Sequence, residues 1–556
     1  MEKIWLKSYP PGVAAEIDPS RLRSLKELIE SCCAMHRDQV AYVQMGRELS
    51  YAEVDRLSRG FGAWLQKVAK LAQGERMAIM LPNVLQYPIA MFGALRAGLT
   101  VVNTNPLYTA PELEHQLNDA GASAVLVLEN FAHILQEVLP RTKVKQVIVT
   151  AVGDLLQFPK STLVNFVVRR VRKQVPVWRI PGAVDFKEVV RAGCRLELDD
   201  VSVGPDDLAY LQYTGGTTGV AKGAMLTHRN VSSNVLQAEG WISPLFGSKR
   251  ATLITPIPLY HVFALTANCL LFARLGWRNI LIVNPRDIPA LIAELNKYPF
   301  KFMSGVNTLF NALLHAPGFD KVNFSSLTVT LGGGMAVQES VAKRWKQVTG
   351  KVLTQAWGLT ETSPAACINP PTEDYNGSIG LPIASTEIAI KDDEGKDLPL
   401  GKVGEICVRG PQVMLGYWQR PDETAKVMLP EGWLRTGDIG KMNERGYVFI
   451  EDRKKDMILV SGFNVYPNEV EAAAATHPGI LEAAAVAQPD EHSGEVVALF
   501  VVRKDPSLTE QEVIAHCRKS LAGYKVPKHI YFRQELPKTA VGKISRRDLR
   551  GELKNH

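Results

Sequence analysis

Short apolar runs recur along the chain at intervals that leave room for a helix between them: MAIML before Pro82, SAVLVL around Val125, QVIVT around Val147, TLITPI around Leu253, NILIV around Ile280 and LTVTL around Val329. Runs this short, alternating with helical stretches, read as buried strands and predict α/β layers. The texture changes between Ile388 and Ile450, where pieces such as DDEGKDLPLGKVGEICVRG and MNERGYVFIEDR are short and turn-rich. That pattern predicts a small β subdomain over about 388–450. Beyond the basic turn DRKKD (Asp452–Asp456), the segments EAAAVAQ and EVVALFVV begin a new strand and helix pattern. The predicted fold class is α/β, with a large N-terminal domain of layered subdomains over 1–452, a hinge at 453–456 and a smaller, mobile α+β lid over 457–556.

Two stretches are long and apolar enough to imitate a membrane span, Met77–Leu95 and Ala251–Ala273. Both hold prolines and polar side chains (Pro82, Asn83, Gln86 and Pro88; Pro256, Pro258, His261 and Asn268), so both read as buried core. Leu155–Val184 is different, because it carries no acidic residue while Lys160, Arg169, Arg170, Arg172, Lys173 and Arg179 interleave with apolar ones. At helical spacing Val164, Val167, Val168, Val171 and Val175 form one apolar face with arginines beside it. A face of that kind fits either a membrane surface or the protein's own core.

Length and composition narrow the class. At 556 residues the chain exceeds one ordinary core, and 46% hydrophobic with 22% charged residues describes a globular enzyme rather than a disordered chain. The net charge of +7 is modest, and no nucleic-acid motif accompanies it. Seven scattered cysteines without a C-x-x-C pair imply a reducing compartment and no zinc site. The start, MEKIWLKSYPPG, lacks the apolar core of a secretory signal, which implies a cytoplasmic location.

Chemistry concentrates first in DLAYLQYTGGTTGVAKGAMLTHRN. A strand ending at Tyr213 leads into a loop in which Gly215, Gly216 and Gly219 free the backbone, Thr214, Thr217 and Thr218 offer hydroxyls, and Lys222 adds a positive charge. Polyphosphate is the natural guest, whereas a plain glycine linker would need neither the threonines nor the lysine. It is not a Walker A loop, since Lys222 stands between Ala221 and Gly223 with no hydroxyl residue after it.

YTGGTTGVAKG (Tyr213–Gly223, including Val220) resembles the signature of the adenylate-forming superfamily of acyl-CoA synthetases, luciferases and peptide-synthetase adenylation domains. Further segments resemble the same superfamily in the same order, over nearly the whole chain. LGGGM supplies Gly332, Gly333 and Gly334 against a purine. From QAWGLTETSP come Trp357 as the adenine-side aromatic, Gly358 and Thr360 beside it, and Glu361 as the magnesium-binding carboxylate. GWLRTGD gives Asp438 on the ribose hydroxyls, with Arg453 reaching the same sugar. The resemblance places the adenylation lysine at Lys543 in LPKTAVGKISRRDLR, so that Lys543, Glu361 and Thr217 form the catalytic set and Glu361 and Thr217 face Mg2+. It puts the domain hinge at Lys455. Ser461, Gly462 and Phe463 of SGFNVYP fall on the thioester side by the pantetheine path. His261 and Val262, in PLYHVFAL, fall on the acyl site, where a lone histidine is a wall or gate rather than a base.

EGWLRTGDIGKMNERGYVFIEDRKKDMILVSG, NPLYTAPELEHQLNDAGA and NPRDIPALIAEL are similar to the bacterial long-chain fatty acyl-CoA synthetases. That family implies ligation of a fatty acid to coenzyme A through an acyl-adenylate, with ATP and Mg2+, and a water-insoluble acid makes peripheral contact with the cytoplasmic membrane the natural setting. A medium-chain or aryl acid CoA ligase, and acyl loading onto a carrier protein, are the alternatives. A homodimer is left open.

Overall fold

The computed structural model describes residues 2–214, 221–246, 250–490 and 492–554. Each of the six apolar runs becomes a strand. Arg76–Met80, Ala122–Leu128 and Gln146–Thr150 lie side by side in a seven-stranded sheet, ordered in space Val184–Asp185, Gln146–Thr150, Ala122–Leu128, Arg76–Met80, Thr100–Asn103, Leu208–Thr214 and Lys222–Thr227. All pairings are parallel except the last, where Leu208–Thr214 and Lys222–Thr227 run antiparallel with Tyr213 opposite Gly223 and Thr214 opposite Lys222. Residues 215–220, outside the described residues, therefore join two neighbouring strands of one sheet edge, whereas a Walker A loop joins a strand to a helix.

Thr252–Thr255, Arg278–Leu281 and Val329–Gly332 belong to a nine-stranded sheet whose central strands are parallel. Side chains between the two sheets merge into one core, with Gln86–Arg96 buried along its whole length. That burial explains why Met77–Leu95 imitates a span, and no described helix is long and apolar enough to cross a membrane. A third sheet holds Glu387–Lys391, Gly404–Arg409, Met428–Leu429, Trp433–Met442 and Val448–Arg453, all antiparallel. From Ile458 onward the chain builds a fourth sheet with hydrophobic clusters of its own on both faces.

The basic segment departs from the predicted face. Lys160–Phe166 is α-helical and runs directly into a π-helical Val167–Val171, whose wider turn shifts the phase of the apolar positions. Val164, Val167, Val168 and Val175 are half-buried against the protein, whereas Val171 stands in solvent with Leu163 and Phe166. Asn165 takes the fully inward position, its amide accepting from Gly153 N–H at 2.8 Å and donating to Asp154 at 3.1 Å. The sequence placed one apolar face outward or inward as a unit. Tertiary hydrogen bonding divides it.

Around the first sheet, helices meet backbone to backbone. A Cβ at Gly193 would lie 1.9 Å from the carbonyl oxygen of Gly60, so the helices Tyr51–Lys67 and Phe186–Gly193 touch only because no side chain separates them. Gly193→Ala should lower unfolding free energy by about 1–3 kcal/mol through overpacking, read as a lower denaturant midpoint, while activity per folded molecule stays unchanged.

Candidate functional site

Most of the residues singled out from the sequence border one cleft of about 2020 Å³ between the large sheets, the small antiparallel sheet and the C-terminal part. Two strand pairings bring its polar centre together. Across the hairpin of Trp433–Met442 and Val448–Arg453, Asp438 stands directly opposite Arg453. Arg453 Nε approaches Asp438 Oδ1 at 3.0 Å, and Trp357 Nε1–H, from the end of a nine-stranded-sheet strand, donates to Oδ2 at 2.9 Å. Asp438 is only 1% exposed, and the guanidinium approach is an ion pair without hydrogen-bond alignment. Its Oδ1 is therefore a buried acceptor with no hydrogen-bond donor among the described residues. Such an atom is costly unless a ligand hydroxyl donates to it.

Lys543 reaches the same cleft from the opposite side. A tight turn presents it: Thr539 N–H donates to the Lys543 carbonyl at 2.7 Å and Gly542 N–H to the Thr539 carbonyl at 2.9 Å. Thr308 Oγ1 donates to the Gly542 carbonyl at 2.7 Å and pins that turn to the large domain. Gly334, at φ +79°, lies so near that a Cβ there would be 3.0 Å from Lys543 Cε. Loss of hydration, then the Arg453 cation, pushes the Lys543 ammonium down to about 8, with Asp438 opposing.

A second network surrounds Glu361, on the turn Thr360–Thr362 that follows Gly358. Tyr417 OH donates to Glu361 Oε1 at 2.7 Å, and burial, then the Glu361 charge, raises the phenol well above its usual value. Lys222 Nζ lies 4.9 Å from the centre of the Tyr417 ring and pairs with Glu423 at 2.5 Å. Among the described residues no group of three or more His, Cys, Asp or Glu could enclose a metal. A lone carboxylate beside phosphate oxygens is nonetheless a donor set that suits Mg2+, which keeps most of its waters and takes few protein ligands.

The ends of the phosphate loop are anchored rather than free. Tyr213 OH and Arg420 Nη2 donate to the two carboxylate oxygens of Asp119, at 2.7 and 2.6 Å, and His115 Nε2–H donates to the Ala221 carbonyl at 3.0 Å. Tyr213 thus turns its hydroxyl to Asp119 while still bordering the cleft with Thr214 and Lys222. Gly215, Gly216, Thr217, Thr218, Gly219 and Val220 lie outside the described residues. Neither Tyr417 nor Asp119 stood out in the sequence, because each acts through a partner distant along the chain.

Away from the polar centre the cleft turns apolar. Asn234, Ala238 and Ile242, one turn apart on the helix His228–Phe246, face Thr266, Ala267 and Leu271 from the π-helical stretch and its continuation, with Phe302 and Val329 beyond. His261 and Val262 stand where the two parts meet, with Gly333. His261 Nδ1 accepts from Phe263 N–H at 3.2 Å and caps the helix there, while burial, then the Lys543 charge, pushes its imidazolium down to about 3. The ring is neutral at ordinary pH, which fits a wall better than a base.

Some expected residues are not in the cleft. Gly332 is enclosed in its strand, where a Cβ would meet Val337 at 2.8 Å, and Gly223 lies under the Tyr213 ring at 3.1 Å. Ser461, Gly462 and Phe463 form the tip of the hairpin Ile458–Val460 and Phe463–Val465, with Phe463 exposed and stacked on Tyr524 at 4.9 Å. Lys455 does line the cleft, on the exposed turn after Arg453.

Comparison with known proteins bears on this geometry. The family model of the AMP-binding enzyme matches residues 29–418, and that of the AMP-binding enzyme C-terminal domain matches 469–543. The chain is 54% identical over 555 residues to a long-chain-fatty-acid–CoA ligase of Escherichia coli O6:H1, covering 100% of this chain and 99% of the relative. To the Bacillus subtilis protein of the same name it is 38% identical, with 100% and 99% covered. Among solved structures, ATP-bound MatB from Rhodopseudomonas palustris superposes with a TM-score of 0.81 at 27% identity, covering 95% of this chain and 99% of that one. An anthranilate CoA ligase in complex with anthranoyl-AMP has the same fold, with a TM-score of 0.86 at 24% identity over 97% and 99% of the two chains. With one family model matching most of its length, and relatives aligned from end to end, the chain belongs to the AMP-binding enzyme family.

Proposed function

We propose that this chain is an acid–thiol ligase that joins a long-chain fatty acid to coenzyme A, using ATP and passing through an acyl-adenylate. One observation carries the reading: a single cleft holds a cationic lysine and an unfilled buried carboxylate oxygen at one end and an apolar, helix-lined extension at the other. The acid's carboxylate, at the junction by His261 and Gly333, attacks the α-phosphorus of ATP and pyrophosphate leaves. The thiol of coenzyme A then attacks the acyl carbon and AMP leaves.

In this reading Asp438 accepts from the ribose, Trp357 flanks the adenine, Lys222 and the loop from Thr214 hold the triphosphate, and Lys543 balances charge developing on the α-phosphate. Glu361 would hold Mg2+ with Thr217, and the ion would screen the phosphate charges. The C-terminal part from residue 457 turns about Lys455 between the half-reactions, withdrawing Lys543 and bringing in Ser461–Phe463. Support comes from the position of Lys543 on a turn held by few contacts, and of Phe463 on an exposed tip. Contact with an anionic membrane surface belongs to the same reading, because the acid dissolves in lipid.

Formation of acyl-CoA and AMP from palmitate or oleate is the direct assay, and no acyl-CoA from any fatty acid would sink the proposal. Lys543→Ala should slow ATP–pyrophosphate exchange by about 10²–10³-fold with little change in ATP affinity. Because the Lys543 ammonium sits near 8, below the ordinary lysine value of about 10.4, its charge is present below that pH and lost as pH rises through it. Exchange should therefore show an alkaline limb at or somewhat above pH 8, bound phosphate moving it upward.

Asp438→Asn keeps an acceptor but loses the charge that holds Arg453, and should raise the KM for ATP by about ten- to a hundredfold. Ala238→Phe fills the apolar extension, so the optimum of kcat/KM across acid chain lengths should move to shorter acids while ATP–pyrophosphate exchange with a short acid persists.

A further inference from the structure

The basic segment leaves a specific face uncovered. Along the helix from Lys160 to Val171, Leu163, Phe166 and Val171 follow one another at spacings of three and five residues, with Arg170 next to Val171, and all four are exposed. Phe158, 84% exposed, precedes this stripe, and Val177, 98% exposed, follows it. Scattered apolar residues on a surface need no explanation, but large ones gathered on one helix and its flanks do.

Charge surrounds this stripe without compensation. Arg169 is spoken for, since it pairs with the buried Glu129 at 2.8 Å on the side that docks to the protein, and Lys160 donates to the Met45 carbonyl. Arg170, Arg172 and Lys173 are exposed and have no carboxylate within ion-pair distance among the described residues, and Leu155–Val184 contains no acid. A second copy of the same face would set these cations against one another. An anionic bilayer answers both features, taking the apolar tips between its acyl chains and the cations at its phosphates, and each cation near such a surface raises binding about fivefold.

We propose that Phe158, Leu163, Phe166, Val171 and Val177, rimmed by Arg170, Arg172 and Lys173, form the face by which this protein lies on an anionic lipid bilayer. The helix rests on the surface, its other side held by Asn165 and the half-buried Val164, Val167 and Val168. The inference rests on the fatty-acid reading only for its purpose, delivery of a lipid-dissolved acid, and the binding itself is independent of catalysis.

Sedimentation of the full-length protein with vesicles of phosphatidylcholine alone, or of equal parts phosphatidylcholine and phosphatidylglycerol, tests it. The wild type should bind the mixed vesicles far better, and less well as salt rises. Leu163→Glu with Phe166→Glu should lower that binding by about tenfold or more, and Arg170→Glu with Lys173→Glu should abolish the preference for anionic lipid. Both variants should ligate water-soluble octanoate as the wild type does, and should lose activity toward oleate supplied in vesicles. Equal vesicle binding by wild type and variants would overturn the proposal. So would a dimer of the wild type that the Leu163/Phe166 variant loses, without lipid binding, or duplex DNA held more tightly than the mixed vesicles. Failure of every acid, octanoate included, with vesicle binding intact would instead remove the fatty-acid reading and leave the face standing.

Discussion

The burial of Asp438 is the constraint around which the site is arranged. A carboxylate removed from water costs several kcal/mol unless partners surround it, and its partners come from different parts of the protein. Trp357 reaches it from the nine-stranded sheet, and Arg453 from the facing strand of the small sheet. One carboxylate, through its two oxygens, thus ties the large domain to the small sheet and to the last residue before the Lys454–Lys455 turn. The Oδ1 atom left without an aligned donor, in a carboxylate that borders the cleft, gives this cluster an open acceptor for a ligand hydroxyl.

From that centre the arrangement of the C-terminal part follows. Beside Arg453, the buried Asp452 accepts from Arg453 N–H and Asn468 N–H, both at 2.7 Å, and pairs with Arg546 at 3.2 Å. Arg546 in turn holds Glu471 at 2.8 Å. This chain of charges joins the strand before the turn to the helix carrying Arg546, three residues after Lys543, and so fixes where the lysine can stand. Few other bonds tie the turn bearing Lys543 to the large domain, Thr308 to Gly542 being one. A segment held by a short network at one hinge can exchange positions without disturbing either core, which is the physical basis for the proposed rotation.

The phosphate loop shows the same economy. Asp119 and His115, on the helix Ala110–Ala120, hold Tyr213 and Ala221 at its two ends. Lys222 is kept in place by Glu423 and the Tyr417 ring while Tyr417 holds Glu361. The two charges expected to meet ATP therefore both rest on one tyrosine.

By itself the sequence determined the α/β class, the core strands and the motif residues, because buried parallel strands must be continuous apolar runs and phosphate loops must be rich in glycine and hydroxyl groups. Those are local demands, and they leave local marks. It also carried the assignment to adenylate-forming enzymes, through the order of its motifs. Only the tertiary structure decided that Thr214 and Lys222 face each other across a hairpin, that Asp119 anchors Tyr213, and that Tyr417 lies between Glu361 and Lys222. It alone split the basic helix into a docked side and an exposed one, since the inward turn of Asn165 depends on Gly153 and Asp154 and the phase shift on a π-helical turn. Pairings between residues far apart in the chain leave no periodic trace in it. Geometry among partners is settled by packing, where each side chain's place depends on all of its neighbours.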